Sequence, residues 1–126
     1  MKSLTLRRLT ETFAIHSLHH DSQLPDAVFS APVFFLAKTY DEISVVIPQN
    51  IEIESEEVER DWQALEVVGP LDFTLTGILS NISTVLANER ISIFAISTFD
   101  TDYILVKSNK IEAATAALIN NNYQVI

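Results

Sequence analysis

GPLDFTLTGILSNISTVLANERISIFAISTFDTDYILVK, residues 69–107, decides the fold. Gly69-Pro70 is a strong chain-turning pair. Beyond it, Leu75, Ile78, Leu79, Ile82, Val85 and Leu86 fall at offsets of 0, 3, 4, 7, 10 and 11. Those offsets trace one face of a helix with 3.6 residues per turn. Asp72 or Thr74 is placed to cap its N-terminus, and Asn88-Glu89-Arg90 breaks it. ISIFAIS (91–97) and TDYILVK (101–107) follow, rich in β-branched and aromatic residues, and predict a hairpin. Two aspartates interrupt this apolar stretch. Asp100 falls in the turn that aspartate favours, whereas Asp102 opens a strand and needs another explanation.

Working outward, WQALEVVG (62–69) reads as a strand on the upstream side. Residues 110–121 predict a second helix with Ile111, Ala114, Ala117 and Leu118 inward. Asn120-Asn121-Asn122 ends it, and YQVI closes the chain as a short strand. Residues 62–126 therefore spell β-α-β-β-α-β, the ferredoxin-like order. The first half gives a fainter copy. TFAIHSL (12–18) predicts a strand, and residues 21–32, with Asp21, Pro25, Asp26 and Pro32, an irregular stretch or short helical turn. FFLAK (34–38) and EISVVIP (42–48) predict a hairpin. Residues 49–61, QNIEIESEEVERD, are expected to be an acidic linker, with Ser55 as the cap of a helical turn. The expected class is α+β, with two ferredoxin-like units. Residues 1–61 form the first, degenerate in its helices and including the acidic linker; residues 62–126 form the second, which is complete.

The 126 residues include 17 acidic and 8 basic ones, a formal charge of −9. That balance argues against a nucleic-acid partner, whose phosphates need clustered Lys and Arg, and against an anionic membrane surface. There is no cysteine, which removes disulfides, thiolate catalysis and thiolate metal sites. MKSLTLRRLTETF at the start holds no apolar core of signal-peptide length. No apolar run approaches membrane-spanning length, so a cytoplasmic location is expected. His16, His19 and His20 fit no closed zinc spacing and are expected on the surface, with no metal and no cofactor. No nucleophile motif or HExxH is present, and two glycines cannot build a phosphate loop. The expectation is a protein that is not an enzyme.

The remaining chemistry lies in GPLDFTLTG (69–77) and ISTFDTDYILVK (96–107). Backbone N–H groups at the helix entry, Phe73 to Leu75, could seat a small carboxylate. Asp102 could meet an ammonium, and the two together would read the zwitterion of an amino acid. The plainer alternative is that Asp72 only caps a helix and Thr98-Phe99-Asp100-Thr101 only turns a hairpin.

The combination GPLDFTLTGIL…LANERISIFAISTFDTDYILVK, with FFLAKTYDEISVVIP in the first half, resembles the ACT-domain proteins of the CASTOR-like group. The resemblance implies tandem ACT units, a non-catalytic regulatory role and an amino acid bound at an interface between units. A lone copy of this length would be expected to pair as a homodimer. Carried over, the resemblance places Asp72, Phe73 and Thr74 in the loop that wraps the ligand. It places Thr98, Phe99 and Asp102 in the contacting hairpin, and Ser92 and Ile93 at the site from the second subunit. Leu75 stands where the arginine sensors carry a glutamate, which leaves room for a smaller or apolar amino acid, or for no ligand. A dimeric interaction scaffold with a vestigial pocket, its acidic stretch facing a basic protein partner, is the alternative function.

Overall fold

β1 (Thr5–Leu18) runs for 14 residues and serves two compact units. The computed structural model describes residues 4–69 and 76–126. Glu11–Trp62 form one unit, called N-terminal below; Met1–Thr10 with Gln63–Ile126 form the other, called C-terminal. Both β1 and β4 (Glu57–Val67) cross that boundary.

In the C-terminal unit the second part of β4 is followed by α2 (Ile78–Asn88), β5 (Phe94–Ser97), β6 (Asp102–Lys107), α3 (Ile111–Asn120) and β7 (Gln124–Val125). This is the expected β-α-β-β-α-β order. The strand order, β7-β1-β4-β6-β5, holds one surprise. Residues 5–10 of β1 lie between β4 and β7. Thr5 and Leu6 pair in parallel with Gln124 and Val125. On the other edge the Val68 amide donates to the Thr5 carbonyl at 2.8 Å. Leu6, Leu65, Val67, Ile104 and Val106 form the sheet side of a core closed by Ile82, Leu86, Ile111 and Leu118 from the two helices. Every residue expected inward on α3 is buried there.

Both helices stop by the same device. Arg90 (φ 58°) and Asn122 (φ 72°) take the left-handed conformation. The next amides, of Ile91 and Tyr123, donate back to the carbonyls of Leu86 and Leu118, each at 3.0 Å. This is the six-to-one closure that satisfies helix C-terminal carbonyls. The start of α2 differs from expectation. Its N-cap is Gly77, at φ 77°, with no side-chain cap bond. Asp72 and Thr74, the residues expected to cap the helix, lie outside the described range. Only glycine takes that φ without steric cost.

The N-terminal unit contains the rest of β1, α1 (Asp26–Phe29), β2 (Phe35–Lys38), β3 (Ile43–Pro48) and the start of β4. Its strand order is β2-β3-β1-β4. The first helix is a single turn and the second is missing. A turn at residues 49–50 and an irregular strap, residues 51–56, replace it. Ile51 and Ile53 pack inward on Leu18, Val45 and Ile47, while Glu52, Glu54 and Glu56 face solvent. The helical turn expected at Ser55 is therefore not formed, and SEEVERD instead leads into β4. The strand bends at Asp61, which sits at φ 68°, a conformation aspartate tolerates better than most residues. The Gln49 side chain holds the bend: its Oε1 accepts from the Asp61 amide at 2.9 Å and its Nε2 donates to Asp61 Oδ1 at 3.2 Å.

His16 does not lie on the surface as expected. It is 2% exposed, shares strand parity with Leu18, and pairs with Val45 across β3. Its Nδ1 is 2.8 Å from Ser55 Oγ of the strap. Among the described residues its buried Nε2 has no hydrogen-bond partner. Burial lowers the His16 pKa; Arg60 lowers it further, and Glu52 partly opposes the shift. The folded state thus binds fewer protons than the unfolded one near the ordinary histidine pKa. Stability should then be intact above that value and fall as pH drops through about 6.5. We expect the urea midpoint to decrease between pH 7.5 and 5.5, and the decrease to be smaller in His16→Gln.

Candidate functional site

The β5–β6 hairpin carries the candidate site, and its turn is held from several directions. Ser97 pairs with Asp102 across the two strands. The Thr98 amide donates to the Thr101 carbonyl at 2.8 Å, and Thr98 Oγ1 donates to the same oxygen at 3.0 Å. Asp100 occupies the turn, as expected, and Phe99 at the tip is 81% exposed. Thr101 was legible in the sequence only as a turn residue, yet it is 6% exposed. Its Oγ1 donates to the carbonyl of Val67 at 2.6 Å. That bond fixes the turn beside the end of β4, immediately before the Gly69-Pro70 loop.

Asp102 is half-buried. It shares strand parity with Ile104 and Val106, whose side chains enter the core beneath α2 and α3, so its carboxylate is on the helix-bearing face of the strand. Oδ1 accepts from Ser97 Oγ at 2.7 Å. Among the described residues the other oxygen has no hydrogen-bond partner, which leaves an acceptor for a ligand N–H. The anion seat expected at Phe73–Leu75 lies outside the described residues; α2 begins at Ile78. The first intrahelical bond runs from the Asn81 amide to the Gly77 carbonyl. Gly77 makes no side-chain cap bond, and the amides of Ile78, Leu79 and Ser80 are first-turn donors with no hydrogen-bond partner among the described residues.

The structure thus gathers Thr98, Phe99 and Asp102 on one hairpin end. Ser92 is exposed, and Ile93 packs partly into the core. Both precede β5, at the opposite end from the turn. Ile93 and Thr98 are five positions apart, roughly 16 Å of strand, so one copy of the chain does not bring these two groups together. Asp72, Phe73 and Thr74 lie outside the described residues.

On the opposite face of the strands, Arg7 Nη1 donates to Glu66 Oε1 at 3.0 Å, and Tyr103 Oη donates to Glu66 Oε2 at 2.9 Å. Burial, then the bond and charge of Glu66, then Asp100, push the Tyr103 pKa up to about 12. The phenol therefore stays protonated near neutral pH and acts as a hydrogen-bond donor. His19, His20 and Asp21 bring their ligand atoms within 4.8 Å of one another in the turn after β1. His19 Nδ1 accepts the Asp21 amide at 3.2 Å, and His20 Nδ1 faces Asp21 Oδ1 at 3.1 Å. Both Nδ1 atoms are thus engaged within the turn itself. Among the described residues no helix is long and apolar enough to cross a membrane.

These features have a family. A family model of the ACT domain matches residues 57–120. The chain belongs to the ACT-domain family. Its fold is similar to that of a protein from Agrobacterium tumefaciens, at 28% identity and a TM-score of 0.89, over 100% of this chain and 94% of that one. It is also similar to the ligand-free regulatory subunit of aspartate kinase from Thermus thermophilus, at 13% identity and a TM-score of 0.63, over 94% and 98% of the two chains. A third likeness is to aspartokinase III of E. coli in complex with aspartate and ADP, at 16% identity and a TM-score of 0.64, over 94% of this chain and 32% of that one. No curated protein sequence matches the chain. The two aspartate kinase likenesses are of fold alone.

If Thr101 anchors the site, its loss should be felt in stability. Thr101→Val keeps the shape but leaves the Val67 carbonyl without this donor. We expect a loss of about 1–3 kcal/mol in urea unfolding, against less than about 0.5 kcal/mol for the exposed Ser92→Ala.

Proposed function

We propose that the chain is a non-catalytic, cytoplasmic regulatory module of the CASTOR-like group that binds an amino acid between ACT units of a homodimer. The observation that carries this reading is the half-buried Asp102 carboxylate on an anchored hairpin, with one oxygen still available among the described residues. In this reading Asp102 accepts from the ligand ammonium. The ligand carboxylate lies toward the first turn of α2, whose dipole is worth about 0.3–1 kcal/mol to an anion. Thr98 and Phe99 border the ligand, and Asp72, Phe73 and Thr74 complete its wrapping. Ser92 and Ile93 arrive from the second subunit, which supplies the reach that a single copy lacks. Leu75 in place of an acidic residue favours a small or apolar side chain.

Support comes from the ACT family membership and from fold relatives that include an aspartate kinase regulatory subunit and an aspartokinase crystallised with aspartate and ADP. Binding would regulate by favouring one dimer geometry, to the extent of the ligand's differential affinity for the two geometries.

Isothermal titration against the twenty amino acids tests the reading. We expect one small or apolar amino acid to bind. Asp102→Ala should weaken it by about tenfold or more, the effect of losing a hydrogen bond between charged groups, with the melting curve little changed. No heat from any of the twenty would overturn it.

A further inference from the structure

Charge is divided unequally along the chain. Residues 11–62, the N-terminal unit, hold eleven acidic side chains and two basic ones, Lys38 and Arg60, a formal charge of −9. Residues 1–10 and 63–126 hold six of each and are neutral. The whole net charge of the protein therefore resides on the unit whose helices are reduced.

That reduction leaves space. The C-terminal unit covers its sheet with helices of 11 and 10 residues, whereas α1 has 4. In the N-terminal unit a cleft of about 480 Å³ remains between α1, the end of β3 and the start of the strap. Its lining is mostly apolar, from Ala27, Ala31, Pro32, Pro48 and Ile51, with Glu11 as the one charged side chain. Its volume is that of a ligand-sized site. On the same short helix Phe29 is 56% exposed, its ring edge-on to Phe34 at 5.7 Å. Asp26 on α1, and Glu52 and Glu54 on the strap, are exposed acids on the same two elements.

We propose that this cleft docks a basic amphipathic helix of a partner protein. The partner's apolar side chains enter between α1 and the strap, and its Lys and Arg residues meet Glu11, Asp26, Glu52 and Glu54. A helix suits the cleft because its lining is mostly apolar while the exposed residues of the flanking elements are acidic, the division that an amphipathic basic helix matches. Charge sets the sign of the partner: nucleic acid and anionic lipid are repelled, and a cationic peptide is steered in. The proposal concerns a surface separate from the Asp102 hairpin and does not depend on amino-acid binding.

The probe is a fluorescein-labelled amphipathic peptide of about 16 residues, with leucine at i, i+3, i+4 and i+7 and lysine elsewhere. Its control is an isomer of the same composition with the leucines scrambled. Anisotropy with the full chain should show the patterned peptide binding about tenfold more tightly than the scrambled one. Ala27→Trp, which fills the cleft from an exposed position, should bring the patterned peptide down to the scrambled level. Glu52→Lys with Glu54→Lys should weaken both peptides and flatten the dependence on salt. Equal binding of the two peptides, or full affinity in Ala27→Trp, would overturn the proposal. Displacement of the patterned peptide by spermine as readily as of its scrambled isomer would do the same, by reducing the surface to charge alone.

Discussion

The C-terminal unit depends on the backbone hydrogen bonds made on both edges of residues 4–8. One edge of this strand takes the Val68 amide. The other takes the amides of Gln124 and Ile126 and returns the Arg8 amide to the Ile126 carbonyl. Without that strand, β7 would lose its partner and Leu6 would leave the core it shares with Leu65, Val67 and Leu118. The ferredoxin-like order is thus present in residues 62–126, but the folded unit needs a strand from elsewhere in the sequence. A buried strand stripped of its ladder leaves donors and acceptors unsatisfied, so this is a constraint on the whole unit and not a local detail.

The hairpin shows how structure and site share the same residues. Thr98 closes the turn with both amide and hydroxyl, and Thr101 spends its hydroxyl on Val67. The turn is therefore held in place before any ligand arrives. Asp102 follows directly on that fixed point. A carboxylate at a rigid strand start loses little freedom when it is engaged, and that preorganisation favours recognition.

Much of this was readable from residue pattern. The apolar offsets from Ile78 to Leu86 and from Ile111 to Leu118 correctly named the buried helix faces. Both hairpins fell where β-branched runs flank short polar joins. The parts that escaped did so for identifiable physical reasons. Arg7 and Arg8 interrupt the alternation of β1, although Arg7 reaches Glu66 and Arg8 reaches Glu112 as solvated ion pairs. SEEVERD carries helix-start chemistry, but the Gln49 bonds to Asp61 commit it to a bent strand. His16 looked like one of three surface histidines. It lies within β1, which ends at Leu18 before His19 and His20, and its strand parity with Leu18 places it under the strap. Thr101 could not be told from an ordinary turn residue, because its partner is a backbone carbonyl 34 residues away. The reach from Ile93 to Thr98 likewise depends on strand length, which residue identity alone does not express.

The placement of β1 also has a consequence in time. Thr5 and Gln124 are hydrogen-bonded through their side chains across 119 positions of sequence, and their strands are neighbours. During synthesis this strand is made 119 positions ahead of its partner on one edge. Until then residues 4–8 present an open edge, and such edges invite pairing with other chains. Contacts of this separation also slow folding. The charged pair Arg7-Arg8 at the middle of that edge is the kind of sequence that discourages wrong pairing during the wait.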